Sequence, residues 1–261
     1  MSLITLTTDF GTGSPYVAAM KGVILSIDPA ATVVDLTHAV RPQAVRHGAI
    51  VLDDVTERFP PGTIHLAVVD PGVGTDRAIV YAEIGRQRYV APDNGLLSRV
   101  ARRTRPERIV RLTDPEYWLP EVSPTFHGRD IMAPVAARLG LGLDPGRLGP
   151  PLEKLVDLDW PQPQLAPGRI TGEVLVVDSF GNLVTNIDAG MLRRVPPDRP
   201  LRVAVDEREV EGICSTYGEQ PSGTLIALVG STGRLELAVV NDNAAAMFGV
   251  QVGAPVSVTW K

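Results

Sequence analysis

The sequence predicts an α/β protein in which a mostly parallel N-terminal sheet flanked by helices precedes a C-terminal antiparallel β-barrel or sandwich. Three observations predict it. Up to about residue 140, short apolar runs alternate with amphipathic stretches, the pattern of a sheet covered on both faces. Between Asp144 and Gly168 come Pro145, Pro150, Pro151, Pro161, Pro163 and Pro167, which lack a backbone donor and break regular elements. Beyond them, short strand-like runs are separated by the turn signals SFGN, GSTG and NDN, with almost no helical period. The expected organisation is an α/β domain over 1–150, a proline-rich linker over 151–168 and a β domain over 169–261.

The elements follow in order. Leu3–Thr8 reads as a strand, the glycine-rich DFGTGSP as a loop, and Tyr16–Ile27 as a helix. Thr32–Leu36 is a second strand, and Val45–Phe59 a second helix that Pro60-Pro61-Gly62 must end. Ile64–Val69, Ala78–Ile84 and Arg88–Ala91 are β-branched or aromatic runs of strand length, and Leu96–Arg103 begins another helix. In the second domain the strands are Ile170–Val177, Leu183–Asn186, Leu201–Val205, Thr224–Val229, Leu235–Val240 and Pro255–Trp260. Neither an internal repeat nor a low-complexity segment is visible.

Composition excludes several function classes. With 261 residues, 44% hydrophobic and 21% charged, the chain is an ordinary globular protein of one large or two modest domains. A formal charge of −5 leaves no basic footprint for nucleic acid. No apolar run reaches the roughly 18–20 residues of a membrane span. MSLITLTTDF has neither the charged start nor the cleavage site of a secretory signal, so a cytoplasmic location is expected. The single cysteine, Cys214, rules out an internal disulfide and a cysteine metal cluster, and reads as a packing residue.

The most informative segment is Ile64–Arg77, IHLAVVDPGVGTDR: an apolar strand ending in Asp70, a Gly/Pro loop, then Arg77. In open α/β sheets ligands bind beyond the carboxyl ends of strands. Asp9, Asp93-Asn94 and Asp178 also follow strand-like runs directly. Singly, each could be a turn or cap residue. Their convergence is what points to a site. The segment Ser123–Asp130, SPTFHGRD, adds His127 between an aromatic wall, Phe126, and a glycine, Gly128, that lets backbone approach a ligand. His38, His47 and His65 lack such surroundings and read as structural. The phosphate loop GxxxxGK[ST], the GxSxG elbow and the HExxH zinc helix are all missing. A metal-dependent phosphoesterase built on Asp9, Asp35, Asp70, Asn94 and a histidine stays open, although no ligand spacing is diagnostic.

Taken together, TDFGTGSPYVAAMKG, VVDPGVGTDR, APDNGLL, SPTFHGRD and DSFGNLVTN resemble, along nearly the whole chain, the S-adenosyl-L-methionine hydroxide adenosyltransferase family, kin of the fluorinase and chlorinase. The resemblance implies an α/β domain followed by a β-barrel-like domain, in a homotrimer with active sites between subunits. It implies the hydrolysis of S-adenosyl-L-methionine to adenosine and L-methionine with no cofactor and no metal. It assigns catalysis to Asp70, Arg77 and His127, the ribose diol to Asp9, the methionine ammonium to Asp178 and the adenine-side amide to Asn182. Ser231 is similar to a methionine-carboxylate donor, and Val240–Ala244, with Asn243 and Ala244, resembles the segment that reads adenine. Where the fluorinase has an arginine, this chain has Thr232, which leaves neutralisation of the methionine carboxylate unassigned. The halogenating relatives carry a tyrosine at Asp70, and a carboxylate there would repel halide. A chlorinase producing 5′-halo-5′-deoxyadenosine and a non-catalytic sensor of S-adenosyl-L-methionine or adenosine are the alternatives.

The chemistry is consistent with those residue types. A sulfonium leaves as a neutral thioether, so no general acid is needed, unlike glycoside hydrolysis. The demanding part is a water that attacks C5′ in line while losing a proton. Asp70 and His127 would hold that water and accept or relay its proton, and the permanently charged Arg77 would stabilise developing hydroxide. An anionic nucleophile meeting a cationic sulfonium loses charge, so a dry pocket favours the reaction.

Overall fold

A computed structural model describes residues 2–261 of the chain, which divides into two compact units, residues 1–158 and 159–261. The division falls inside the proline-rich stretch.

The first unit is a three-layer α/β sandwich. Its elements are β1 (Leu3–Thr8), α1 (Pro15–Ile27), β2 (Thr32–Thr37), α2 (Val45–Val55), β3 (Ile64–Val68), β4 (Ile79–Ile84), β5 (Gln87–Pro92), α3 (Ser98–Arg103), β6 (Pro106–Arg111) and α4 (Ala133–Gly140). The sheet runs β2-β1-β3-β5-β4-β6. β2, β1, β3 and β5 are parallel, whereas β4 is antiparallel to both β5 and β6. Alternation along β3 explains the layers. Leu66 and Val68 face α1 and α4, packing with Met20, Ile24, Ala133 and Val135, while Ala67 and Val69 face α2 and α3 with Leu52 and Val100. The parallel strands therefore aim their carboxyl ends, and with them Asp9, Asp70 and Asp93-Asn94, at one edge of the sheet.

Several element ends differ from the sequence expectation for identifiable reasons. Helix α2 stops at Val55 rather than Phe59, and Thr56–Arg58 is a 3₁₀ turn in which the Thr56 hydroxyl donates to the Leu52 carbonyl at 2.7 Å. Helix α3 begins at Ser98 rather than Leu96, because the Asn94 side chain accepts the Leu96 N–H at 3.2 Å and turns the chain first. Ser14 caps α1, accepting the Tyr16 N–H at 3.3 Å, with Pro15 at the first helical position. Strand β6 and helix α4 were not anticipated.

The second unit contains β7 (Gln164–Ala166), β8 (Arg169–Val177), β9 (Leu183–Asp188), α5 (Ala189–Leu192), β10 (Leu201–Val205), β11 (Arg208–Glu211), β12 (Leu225–Val229), β13 (Arg234–Val239), α6 (Ala244–Phe248) and β14 (Pro255–Trp260). Its order is β11-β10-β14-β8-β9-β13-β12, with β7 added to β8, and its pairs are antiparallel. Strand β7 occupies the stretch expected to be irregular, since three residues free of proline lie between Pro163 and Pro167. Ile170, Val203, Val205, Leu235, Leu237, Val256 and Val258 fill the interior. The ring nearly closes after β11, where the Cys214 N–H donates to the Ala227 carbonyl at 2.8 Å and bridges to β12. The unit is barrel-like. No helix among the described residues is long and apolar enough to cross a membrane.

Candidate active site

Strand β3 delivers Asp70 from a fixed position. Val68 and Val69 anchor it in opposite layers, and Asn94, at the end of β5, donates its side-chain amide to the Val69 carbonyl at 2.9 Å. The loop then folds tightly: the Val73 N–H reaches the Asp70 carbonyl at 3.2 Å, and the Thr75 hydroxyl reaches the Gly72 carbonyl at 2.7 Å. Gly74 has φ +79°, and a Cβ there would sit 2.5 Å from the Pro124 carbonyl oxygen. A side chain at Gly74 would thus force this loop away from the SPTFHGRD segment.

That approach joins Asp70, Arg77 and His127. Arg77 Nε lies 2.9 Å from each Asp70 carboxylate oxygen, and its Nη2 lies 2.5 Å from Oδ2. The same Nη2 is 3.0 Å from His127 Nδ1. A guanidinium can only donate, so Nδ1 is the acceptor, and a neutral imidazole keeps its proton on Nε2. The side chains of Asp70 and Arg77 are 4% and 10% exposed, so the pair is largely out of water. Burial, then the Arg77 charge, hold the His127 pKa below its usual value, with Asp70 and Asp130 opposing. The ring is therefore neutral near pH 7.

Second contacts hold this array. Buried Asp130 accepts the Ser123 N–H at 2.9 Å and the Arg129 Nε at 2.6 Å, and the Arg129 guanidinium lies 4.9 Å above the Phe126 ring. Phe126 meets Phe10 and Tyr16 edge-on at 5.8 and 5.2 Å. A Cβ at Gly128 would come within 3.3 Å of Val68 and 3.4 Å of the Met20 sulfur, so this backbone lies close on the strand end. Between these parts opens a cavity of about 280 Å³. Phe10, Val68, Val73 and Phe126 give it apolar walls, while Asp9, Gln43, Asp70 and His127 give it polar groups. Asp9 accepts the Gln43 backbone N–H at 2.7 Å. Sequence reasoning missed Gln43, which has no motif or strand-end position to mark it.

The remaining expected residues belong to the second unit, where Asp178, Asn182, Asn243 and Ala244 form a cluster. Asp178 accepts the Phe180 and Asn182 N–H groups at 2.9 Å each on Oδ1, and the Asn182 side-chain amide at 3.0 Å on Oδ2. Asn243 caps α6 by accepting the Ala246 N–H at 2.7 Å and lies directly against Gly181, whose φ is +87°. The buried Ala244 follows it, and the Ala245 N–H returns to the Gly181 carbonyl at 3.0 Å. Ser231 is exposed in the β12–β13 turn, where Gly230 lies against the carboxylate of buried Glu236.

The other groups have different surroundings. His65 is fully buried, bonded to Thr5 at 2.7 Å between Phe59 and Tyr89, and burial pushes its pKa down to about 4. Asp35 pairs with Lys21 at 2.6 Å and lies 3.0 Å from His38. Of the metal-ligand set considered for a phosphoesterase, Asp35 is thus taken up by Lys21 and His38 and the Asn94 amide by the Val69 carbonyl, and no group of three or more His, Cys, Asp or Glu side chains among the described residues could hold a metal.

Fold and site define a class: a two-unit protein, α/β then β-barrel-like, with a carboxylate–guanidinium–imidazole array at the sheet edge of the first unit. The SAM hydroxide adenosyltransferase N-terminal domain matches residues 4–149, and the C-terminal domain of the same family matches residues 172–257. The chain belongs to the SAM hydroxide adenosyltransferase family. A protein named (R)-S-adenosyl-L-methionine hydrolase from Thermus thermophilus is 42% identical, covering 98% of this chain and 99% of its own length. One of the same name from Salinispora tropica is 41% identical over 98% and 97%. A fluorinase from Nocardia brasiliensis is 28% identical over 98% and 96%. A solved structure of an uncharacterized conserved protein from Thermotoga maritima superposes with a TM-score of 0.92 at 38% identity, covering 98% of this chain and 99% of that one.

Proposed function

We propose that this chain hydrolyses S-adenosyl-L-methionine to adenosine and L-methionine, with water attacking C5′ in line and methionine leaving as a neutral thioether. The observation that carries the reading is that Asp70 and His127, which both line the cavity, are joined through Arg77. Because Arg77 fills the Nδ1 lone pair of His127, the imidazole acts as an Nε2–H donor that orients the water and steadies developing hydroxide. Asp70 is then the group that takes the proton, and Arg77 stabilises charge on both sides of that transfer. Oxygen from water forms the new bond to C5′, the C5′–S bond breaks with its electron pair going to sulfur, and the proton passes through Asp70 to solvent. No cofactor is required.

Substrate contacts follow the resemblance. Asp9 grips the ribose diol, Asn182, Asn243 and Ala244 form the adenine side, Ser231 receives the methionine carboxylate, and Asp178 receives the ammonium on lone pairs its turn leaves over. The sulfonium epimer is the R form that the relatives' names specify. The working assembly is a cytoplasmic homotrimer with active sites between subunits, each chain organised as an α/β catalytic domain (1–150), a proline-rich linker (151–168) and a β domain (169–261). Incubation of the R and S epimers with and without chloride, followed by chromatography, tests the reading. Adenosine and methionine from the R epimer support it; 5′-chloro-5′-deoxyadenosine, or binding without product, overturns it. Sedimentation equilibrium tests the trimer.

A further inference from the structure

Gln43 adopts a conformation its side chain does not favour. Three non-glycine residues among those described have positive φ: Gln43 (63°), Asp206 (52°) and Asn241 (59°). Asp and Asn enter the left-handed region at least cost. Asp206 also sits in the tight hairpin between β10 and β11, and Asn241 in the turn after β13, where such a φ serves the reversal. Gln43 also serves a turn, as the third residue of Arg41–Ala44 behind Pro42, but of the three it alone lines the cavity. Backbone held in such a region persists when its surroundings over-determine it, and it clusters at functional sites.

The surroundings that hold it are visible. The loop between β2 and α2 is pinned at both ends by histidines whose roles the sequence left as structural. At one end His38 bonds Thr8 through Nδ1 at 2.9 Å, its Nε2 lies 3.0 Å from Asp35, and its carbonyl accepts the Gly11 N–H at 2.9 Å. At the other end His47 Nδ1 accepts the Arg41 N–H at 3.2 Å, and the Ala44 N–H closes a turn onto the Arg41 carbonyl at 3.0 Å. Between these pins the Gln43 N–H points at Asp9 Oδ2, 2.7 Å away. A carboxylate at the end of β1 would otherwise turn freely about its last torsion, which is broad for aspartate. One fixed donor on Oδ2 sets that torsion and leaves Oδ1 as the open acceptor for a vicinal diol.

We propose that Gln43 is a positioning residue for ribose recognition: its left-handed backbone orients the Asp9 carboxylate. This rests on the hydrolase reading above, in which Asp9 takes the ribose. The test is a double-mutant cycle. Gln43→Val, a β-branched residue excluded from the left-handed region, raises KM about tenfold with a smaller change in kcat. Gln43→Gly keeps both the N–H and the conformation and gives the smaller rise in KM. Placed on Asp9→Ala, Gln43→Val has no further effect, and both single variants lose the same factor of discrimination against the 2′-deoxy and 3′-deoxy analogues of the substrate. Multiplying effects, or discrimination intact in Gln43→Val, overturn the proposal. Should Gln43→Val fail to fold, the Gln43 amide proton in the ligand-free protein decides: it moves upfield in Asp9→Ala if the bond exists, and an unmoved signal overturns the proposal. That measurement needs no turnover, so a chain inactive on S-adenosyl-L-methionine sinks the functional reading separately.

Discussion

The two units hold their polar residues in opposite ways. In the first, two of the bonds that build the site span long stretches of sequence, Asp9 with Gln43 and Arg77 with His127 fifty positions on, and a third joins Asp70 to Arg77 across a single loop. In the second, they are local: Asp178 serves Phe180 and Asn182, and Asn243 serves Ala246. Local bonds shape turns, and an alanine there damages the turn before it damages any ligand contact. A largely buried ion pair such as Asp70–Arg77 contributes little that simple packing could not, and its junction with His127 is better explained by chemistry. The first unit is where catalysis should be sensitive, and the second where stability and binding should change together.

The largest effect expected from that contrast is in Asp70→Asn. It should lose about 10²- to 10⁴-fold in turnover while still binding substrate, since the amide keeps the shape but cannot take the proton; single-turnover kinetics with calorimetry measures both, and undiminished turnover would reduce the Asp70–Arg77 pair to a loop brace. Next is the stability of the first unit below neutrality. Because burial lowers the His65 pKa from 6.5 to about 4, the unfolded chain takes up the proton first, and stability falls as pH drops from about 6.5 to about 4. The loss is on the order of 3 kcal/mol. Denaturant melts of His65→Gln should show that part of the pH slope removed. The His127 pKa is also lowered, and the neutral ring is the competent form, so the acid limb of kcat/KM should lie below 6.5. Arg77→Met takes away a charge that lowers it, and should move that limb upward even as the rate falls. The smallest effects belong to the second unit: Asp178→Ala and Asn243→Ala should each cost about 1 kcal/mol by thermal melt, with Asn243→Ala losing a helix cap. An Asp178→Ala variant of unchanged stability but weakened binding would break the contrast.

What the sequence made legible follows the same division. The β3 run and its Asp70–Arg77 loop stand out because a fully buried strand must be apolar throughout and a loop over a neighbouring backbone needs glycine, as Gly74 does against Pro124. Strand β6, PERIVR, escaped notice because it is an edge strand whose charged residues are exposed, leaving little apolar signal. Helix α4 was hidden because it grows out of a π-helical turn, Gly128–Met132, continuous with the SPTFHGRD motif. The barrel's closure rests on one backbone bond at Cys214, which no side chain announces. Gln43 was invisible for the same reason: its contribution is a backbone N–H in a conformation that the residue's identity argues against.

Isotope placement tests the central claim most directly. Hydrolysis of the R epimer of S-adenosyl-L-methionine in ¹⁸O-water, with the adenosine and methionine separated and weighed by mass spectrometry, reports which carbon the solvent attacks. The account predicts one ¹⁸O in the 5′-hydroxyl of adenosine and none in methionine, with the yield unaltered by chloride. Adenosine without the label, or a 5′-chlorinated nucleoside in its place, would contradict it.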